Sequence, residues 1–427
     1  MTDPILLIII VLVVAFSHIM AALPFFRKVS RQTLPRSIDY CCLAFLLYYD
    51  VGLLYELCGI QSSSPYFTLF SHAHLLTQCK AVGLLLVAPW ILRFGASLVN
   101  PATQQVQVLR NSSLLPARKF EFYLICILII IASVAFGGFF LLSKFPMWLV
   151  RTTVTERLGT ALILLYIPLG ILAFYLTQTN SHSKRGSVML LCLLIAAMFA
   201  AYPIGERTNL LLPLVICLLF RRQLRLSHLF AMLVICFFAA AIILPIIKWQ
   251  YAGRKVPVAN LLSETIFIDL ARAPVLTDVL EHSDSIGTKI LPYTGAGYVY
   301  SLFFYIPRAW APFKGYSSAV YYTSYSVHTA PEQTTWGFAI GCLEEIVLNF
   351  GFFSVFPILL FYGVFFGMCD RLAARSASFL APASLGAVWV VGQHLPAVLL
   401  IFGTMTGVIW LCRRRYVDTS VPEVAVL

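Results

Sequence analysis

Again and again this chain runs through apolar stretches long enough to cross about 30 Å of hydrocarbon, at roughly 20 residues per crossing. Residues 5–23, 120–142 and 395–412 are examples. A segment inside lipid must satisfy its own backbone hydrogen bonds, so it can be only a helix or part of a closed barrel. Unbroken apolar runs, rather than alternation of apolar and polar residues, select the helix. With 60% hydrophobic and 11% charged residues, a water-soluble domain is excluded. The net charge of +12 comes largely from Lys and Arg between the spans, where it sets orientation and meets anionic membrane lipid. Nucleic acid is therefore excluded as a partner. Of the 11 cysteines, Cys41, Cys42, Cys126, Cys192, Cys217 and Cys236 lie within apolar runs. With no CxxC pair they point to packing and give no metal site. Cys58 and Cys79 flank one loop expected outside the cytoplasm, where a disulfide is chemically permitted.

The charge pattern orients the chain. The first span is preceded by Asp3 and followed by Arg27, Lys28, Arg31 and Arg36, the reverse of a cleavable signal peptide. This puts the N-terminus outside and the following loop in the cytoplasm. Continuing in this way gives eleven spans, at 5–23, 39–57, 80–99, 120–142, 159–177, 188–202, 209–220, 229–247, 350–368, 377–391 and 395–412. Arg413-Arg414-Arg415 then holds the C-terminus inside. The expected organisation is a bundle of eight spans over 1–247, a long periplasmic loop over 248–336, three further spans over 337–416 and a cytoplasmic tail over 417–427. The apolar stretch 336–349 either continues into the ninth span or forms a separate half-helix broken at Gly351.

Two places carry charge where a membrane protein has reason to avoid it. The outer segment holds Arg254, Lys255, Arg272, Lys289, Arg308 and Lys314, with Tyr293, Tyr298, Tyr305, Trp310, Tyr316, Tyr321, Tyr322 and Tyr325 interleaved. Arg207, in Gly205-Glu206-Arg207, sits at a span boundary, where a charge is expensive without a partner or a ligand. Such cations are either solvated surface and headgroup contacts or a site for an anion; the aromatics are either an interfacial belt or sugar-stacking platforms. The second place is Cys342-Leu343-Glu344-Glu345-Ile346-Val347-Leu348-Asn349. On a helix, Gly341, Glu345 and Asn349 recur every four residues and share one face, while Glu344 points about 100° away. Glu345 is then either an ion-pair partner or a general base, and Glu344 a cap or a pairing residue.

Taken together, Gly205-Glu206-Arg207, the run Ile306-Pro307-Arg308-Ala309-Trp310-Ala311-Pro312-Phe313-Lys314, and Glu345-Ile346-Val347-Leu348-Asn349-Phe350-Gly351 resemble the pattern of bacterial O-antigen polymerases, the oligosaccharide repeat unit polymerases. Gly315 stands where that pattern usually has proline, and Glu206 where a small residue is common. The resemblance implies an all-α polytopic bundle of about eleven spans, GT-C-like, with one long periplasmic loop in the bacterial inner membrane. It implies a glycosyltransferase that uses no cofactor, neither metal nor nucleotide sugar. Its partners would be an undecaprenyl-pyrophosphate-linked oligosaccharide, membrane lipid and a chain-length regulator. Under it Glu345, Arg207 and Arg308 are the catalytic candidates, and Lys314, Tyr305, Trp310 and Asn349 bind pyrophosphate and sugar; Arg272 and Arg254 join them on their outward placement alone. An O-antigen ligase, with His282 or His328 as base, is the neighbouring alternative. A transporter or flippase for a lipid-linked sugar is the alternative of another class.

Overall fold

In a computed structural model of the protein, the residues described are 4–31, 33, 35–58, 70–99, 119–142, 161–178, 192–193, 195–196, 271–283, 286–303, 306, 310–334, 340–375, 377–392 and 395–416. Their regular elements are all helical, and one isolated bridge joins Ser283 to Thr288. Four helical stretches are long and apolar enough to cross a membrane: Ile5–Ser30, Ser37–Leu54, Leu75–Val99 and Phe352–Ala374. On the described residues the chain is accordingly a helical membrane protein. The expected spans at 188–202, 209–220 and 229–247 lie largely or wholly outside the described residues.

Two compact units divide the chain, one comprising Met1–Gln104, Ala241–Arg371 and Ser384–Leu399, the other Gln105–Ala240, Leu372–Ala383 and Leu400–Leu427. In the first, α1 (Pro4–Ser30) packs against α2 (Ser37–Phe45), which passes through a π-turn (Leu46–Asp50) into α3 (Val51–Leu57), and against α4 (Leu75–Val99). One face of α1 is left apolar and exposed, with Ile5, Leu12 and Phe16 outward, as lipid contact requires. Polar residues point inward instead. Asp39 accepts from Lys28 Nζ at 2.7 Å, from an Arg93 guanidinium nitrogen at 3.0 Å and from the Arg36 N–H at 2.9 Å. Cys58 and Cys79 are separate free thiols, so the permitted disulfide is not formed.

The segment that reads as a loop in the sequence folds into short helices: α7 (Arg272–Glu281), α8 (Ala296–Phe303) and α9 (Ser318–Ser326). They follow α5 (Lys119–Leu142) and α6 (Ala161–Gln178) of the second unit, where Phe122 lies parallel to Tyr175 and edge-on to Phe174 and Tyr416. Ser317 starts α9 by accepting the Val320 N–H at 3.3 Å, satisfying a donor that the helix itself cannot. These short helices pack on α10 (Cys342–Phe350), and α7 also touches α3, α4 and the π-turn.

Helix α10 is nine residues, about 14 Å at 1.5 Å per residue, too short to cross a membrane. It ends at Gly351, whose φ of 83° and ψ of 176° suit glycine alone. A new helix, α11 (Val355–Arg375), begins after one further turn. Of the two sequence alternatives, the break at Gly351 is the one found, with the half-helix described from Cys342 onward. Close backbone approach seats α11 on α4: a Cβ on Gly363 would meet the Leu92 carbonyl at 2.3 Å, the small-residue contact that replaces hydrophobic attraction between helices in lipid. The chain closes with α12 (Leu380–Gly392) and α13 (Leu395–Tyr416).

Candidate functional site

The head of α10 gathers one cluster of buried polar groups in the first unit. An acidic residue in the first helical turn faces unpaired backbone N–H groups and the positive end of the helix dipole. Glu344, three residues past the N-cap Gly341, turns back and accepts the Gly341 N–H at 3.0 Å. The same oxygen accepts the Tyr49 hydroxyl at 2.9 Å. Its other oxygen is buried with no hydrogen-bond donor among the described residues. Glu344 therefore caps the helix and pairs with a neighbour, as its direction on the helix suggests.

Glu345 faces elsewhere. One carboxylate oxygen accepts the Leu395 N–H at 2.8 Å, at the start of α13, and the other meets the Ser318 hydroxyl at 3.5 Å. The second contact is far beyond an ordinary O–H···O length and holds the oxygen weakly. Among the described residues Glu345 makes no ion pair, although it is only 2% exposed. Burial pushes the Glu345 carboxyl up to about 7, with the Leu395 N–H and the Ser318 hydroxyl opposing and the adjacent Glu344 reinforcing. Burial likewise pushes Glu344 up to about 7, against its backbone donors, the Arg272 charge and the Tyr49 hydroxyl. A carboxyl poised near neutrality can accept or return a proton at working pH.

Asn349, one turn further along, organises the surroundings. Its amide donates to the Glu345 carbonyl at 2.7 Å and to Ser318 Oγ at 3.2 Å, while its oxygen accepts the Gly297 N–H at 2.8 Å. One side chain thus ties α8, α9 and α10 together around Glu345. The fit is tight, since a Cβ on Gly297 would fall 1.7 Å from Ser318 Oγ. Asn349 shares a face with Glu345, as the spacing predicts, and its visible work is to hold that face.

Arg272 opens α7 and is 1% exposed, with its guanidinium 5.7 Å from the centre of the Tyr48 ring. Its charge favours the ionised form of Glu344. The structure therefore buries Arg272 where its charge acts on Glu344. Lys314 is also buried, at 5% exposure, and its ammonium donates to the carbonyls of Ile306 and, at 3.4 Å, Phe303, over the Tyr300 ring. It closes its own loop. Trp310 is 80% exposed, free to stack on a sugar or sit at an interface. Arg207, Arg254, Arg308 and Tyr305 lie outside the described residues, as does Asp269, an outer-segment carboxylate that would be a candidate base if Glu345 is not. Of the ligase candidates, His282 Nδ1 is 2.8 Å from the Asp278 carbonyl, and His328 is exposed with φ 54°.

Several members of the site carry little signal in the sequence. Tyr49 sits inside an apparent membrane span, and Ser318 is one hydroxyl among many. The Leu395 N–H has no side-chain signature at all. The signal that exists is the polar minority of the second span, Asp39, Tyr49 and Asp50, since polar groups at membrane depth are retained for a reason.

No family model, curated protein or solved structure matches the chain.

Proposed function

We propose that this protein is a membrane-embedded glycosyltransferase of the polymerase type, acting on undecaprenyl-pyrophosphate-linked glycans at the periplasmic face of the bacterial inner membrane. The reading includes the eleven-span topology with the N-terminus outside. The observation that supports it best is Glu345: a buried carboxyl near neutrality, held by dipoles, on a half-helix that meets a membrane span. In the proposed step Glu345 takes the proton from an acceptor sugar hydroxyl, displacing the weak Ser318 contact. The freed oxygen attacks the anomeric carbon of the lipid-linked chain. The bond from that carbon to the pyrophosphate oxygen breaks, and undecaprenyl pyrophosphate leaves with the electron pair. Stabilising that anion falls to Arg207 and Arg308, because Lys314 is engaged with its loop and Arg272 is buried where its charge acts on Glu344. A guanidinium at about 4 Å from a phosphate is worth roughly 4 kcal/mol at an effective dielectric near 20, before desolvation.

A second reading has one observation in its favour. The break at Gly351 between α10 and α11 is of the kind transporters use to place helix ends at a substrate site, which suits a flippase for the same lipid-linked sugar. The experiment separates the two. Purified protein in proteoliposomes is given undecaprenyl-pyrophosphate-linked oligosaccharide on its outer face. A polymerase yields a ladder of longer lipid-linked glycans, which Glu345→Gln abolishes. A flippase yields substrate moved across the bilayer with unchanged length.

A further inference from the structure

Among the described residues outside the α10 site lies a buried, ionisable pair that the proposed chemistry does not use. His18 of α1 and Asp50 of the π-turn meet at 2.7 Å, Nδ1 to Oδ1, both buried in the apolar helices. The other ring nitrogen, Nε2, is 2.8 Å from the Leu85 carbonyl of α4, and the Phe45 ring lies 5.6 Å away. A carbonyl only accepts, so Nε2 carries hydrogen. The remaining proton is shared along the Nδ1–Oδ1 line, and the pair is neutral overall whichever atom holds it. That is the least costly form of two ionisable groups in lipid. Asp50 Oδ2 has no hydrogen-bond donor among the described residues, so the described contacts orient this carboxyl through His18.

The residue next to Asp50 is Tyr49, which donates to Glu344. Both sit in a single π-turn of five residues, Leu46–Asp50. Such a turn carries one more residue than the α-helix and so resets where side chains point; isolated π-turns occur frequently at functional sites. Here one of two consecutive side chains is tied to α1 and the other to α10.

We propose that the His18–Asp50 pair is a positioning device that holds the π-turn in register so that Tyr49 reaches Glu344. The inference deepens the reading of the α10 site and rests on it for the site's chemistry, whereas the geometry is testable without turnover. The groups facing Glu344 are Tyr49 from the π-turn, Arg272 from α7, Tyr322 from α9, and Cys342, Glu345 and the Gly341 N–H on its own helix. Losing the Tyr49 bond removes support for the charged form alone, which raises the pH at which Glu344 ionises.

Difference infrared spectroscopy of the full-length protein in lipid nanodiscs, titrated through neutral pH, reads this directly. The Glu344 band is the one that Glu344→Gln removes. Tyr49→Phe and His18→Leu should each move its midpoint up by about 0.5–1 on the pH scale, the size expected for one hydrogen bond to the charged form. The double variant should move it no further. Asp50→Asn should leave it in place, because its amide can donate to Nδ1 while Nε2 still donates to Leu85. An unmoved midpoint in Tyr49→Phe, which removes only one hydroxyl and is expected to fold, overturns the proposal. So does an unmoved midpoint in His18→Leu, or one that moves as far in Asp50→Asn as in His18→Leu. If the midpoints move as expected while wild-type protein makes no polymer, the polymerase reading fails and the positioning stands.

Discussion

Asp39 and Glu345 are both carboxylates buried among the helices of one unit, and they are held in opposite ways. Asp39 has two cations within 3.0 Å and a backbone N–H besides. Glu345 has one backbone N–H and one long hydroxyl contact. Full compensation by opposite charge fixes the ionised state and leaves no lone pair for a substrate. Compensation by dipoles leaves the proton free to come and go. The first is how a membrane protein locks three helices together, and the second is how it keeps a reactive group.

The largest effect should come from breaking the lock. Asp39→Ala leaves the partly buried Lys28 and Arg93 without their counter-ion, a loss at or below the low end of the about 3–5 kcal/mol seen when one partner of a fully buried pair is removed. Little monodisperse protein should survive detergent extraction, and normal yield with an unchanged melting temperature would reduce Asp39 to a surface charge. Next is Asn349→Ala, which leaves the Gly297 N–H and Ser318 without their partner. Removing one partner of buried hydrogen bonds costs about 1–3 kcal/mol, read as a lower melting temperature with α8 and α9 exposed to proteolysis. Glu344→Gln should cost less, about 1 kcal/mol or below, because an amide oxygen can still accept from Gly341 and Tyr49 at the helix start.

The smallest effect is a slope. Glu344 and Glu345 stand near 7 in the fold against an ordinary 4.5, so between those values the folded state binds protons that the unfolded state has released. Stability should be greatest below about 4.5 and fall as pH rises through about 7, by at most about 1.4 kcal/mol per pH step of one for each group. Thermal melts across this range should lose that component in the Glu344→Gln/Glu345→Gln double variant. An identical slope would mean that the two carboxyls are not tuned.

The comparison also separates what can be read in the sequence from what cannot. The apolar runs announce α1, the α2–α3 pair, α4, α5, α6, α11 and α13, because lipid leaves backbone groups no partner except their own helix. The four-residue spacing places Glu345 and Asn349 together and sets Glu344 apart as a cap. The helices at 272–281, 296–303 and 318–326 read as loop because they are only eight to ten residues long, too short for a clear period, and pack on α10. Arg272 and Lys314, expected among the outer cations, are buried, one beside Glu344 and the other closing its loop. The lock and the His18–Asp50 pair escape the sequence for the opposite reason: Asp39, His18 and Asp50 lie in spans whose average hydropathy is all that a window reports.

The most direct measurement pairs the two carboxylates. Glu345→Gln and Asp39→Ala are each expressed in place of the wild-type chain, with folded protein quantified by size-exclusion chromatography and polymer length by gel. For Glu345→Gln the expected result is near-normal folded protein and single, unpolymerised repeat units, and for Asp39→Ala it is loss of the folded protein itself. Wild-type-length polymer from Glu345→Gln would contradict a reactive role for this carboxylate.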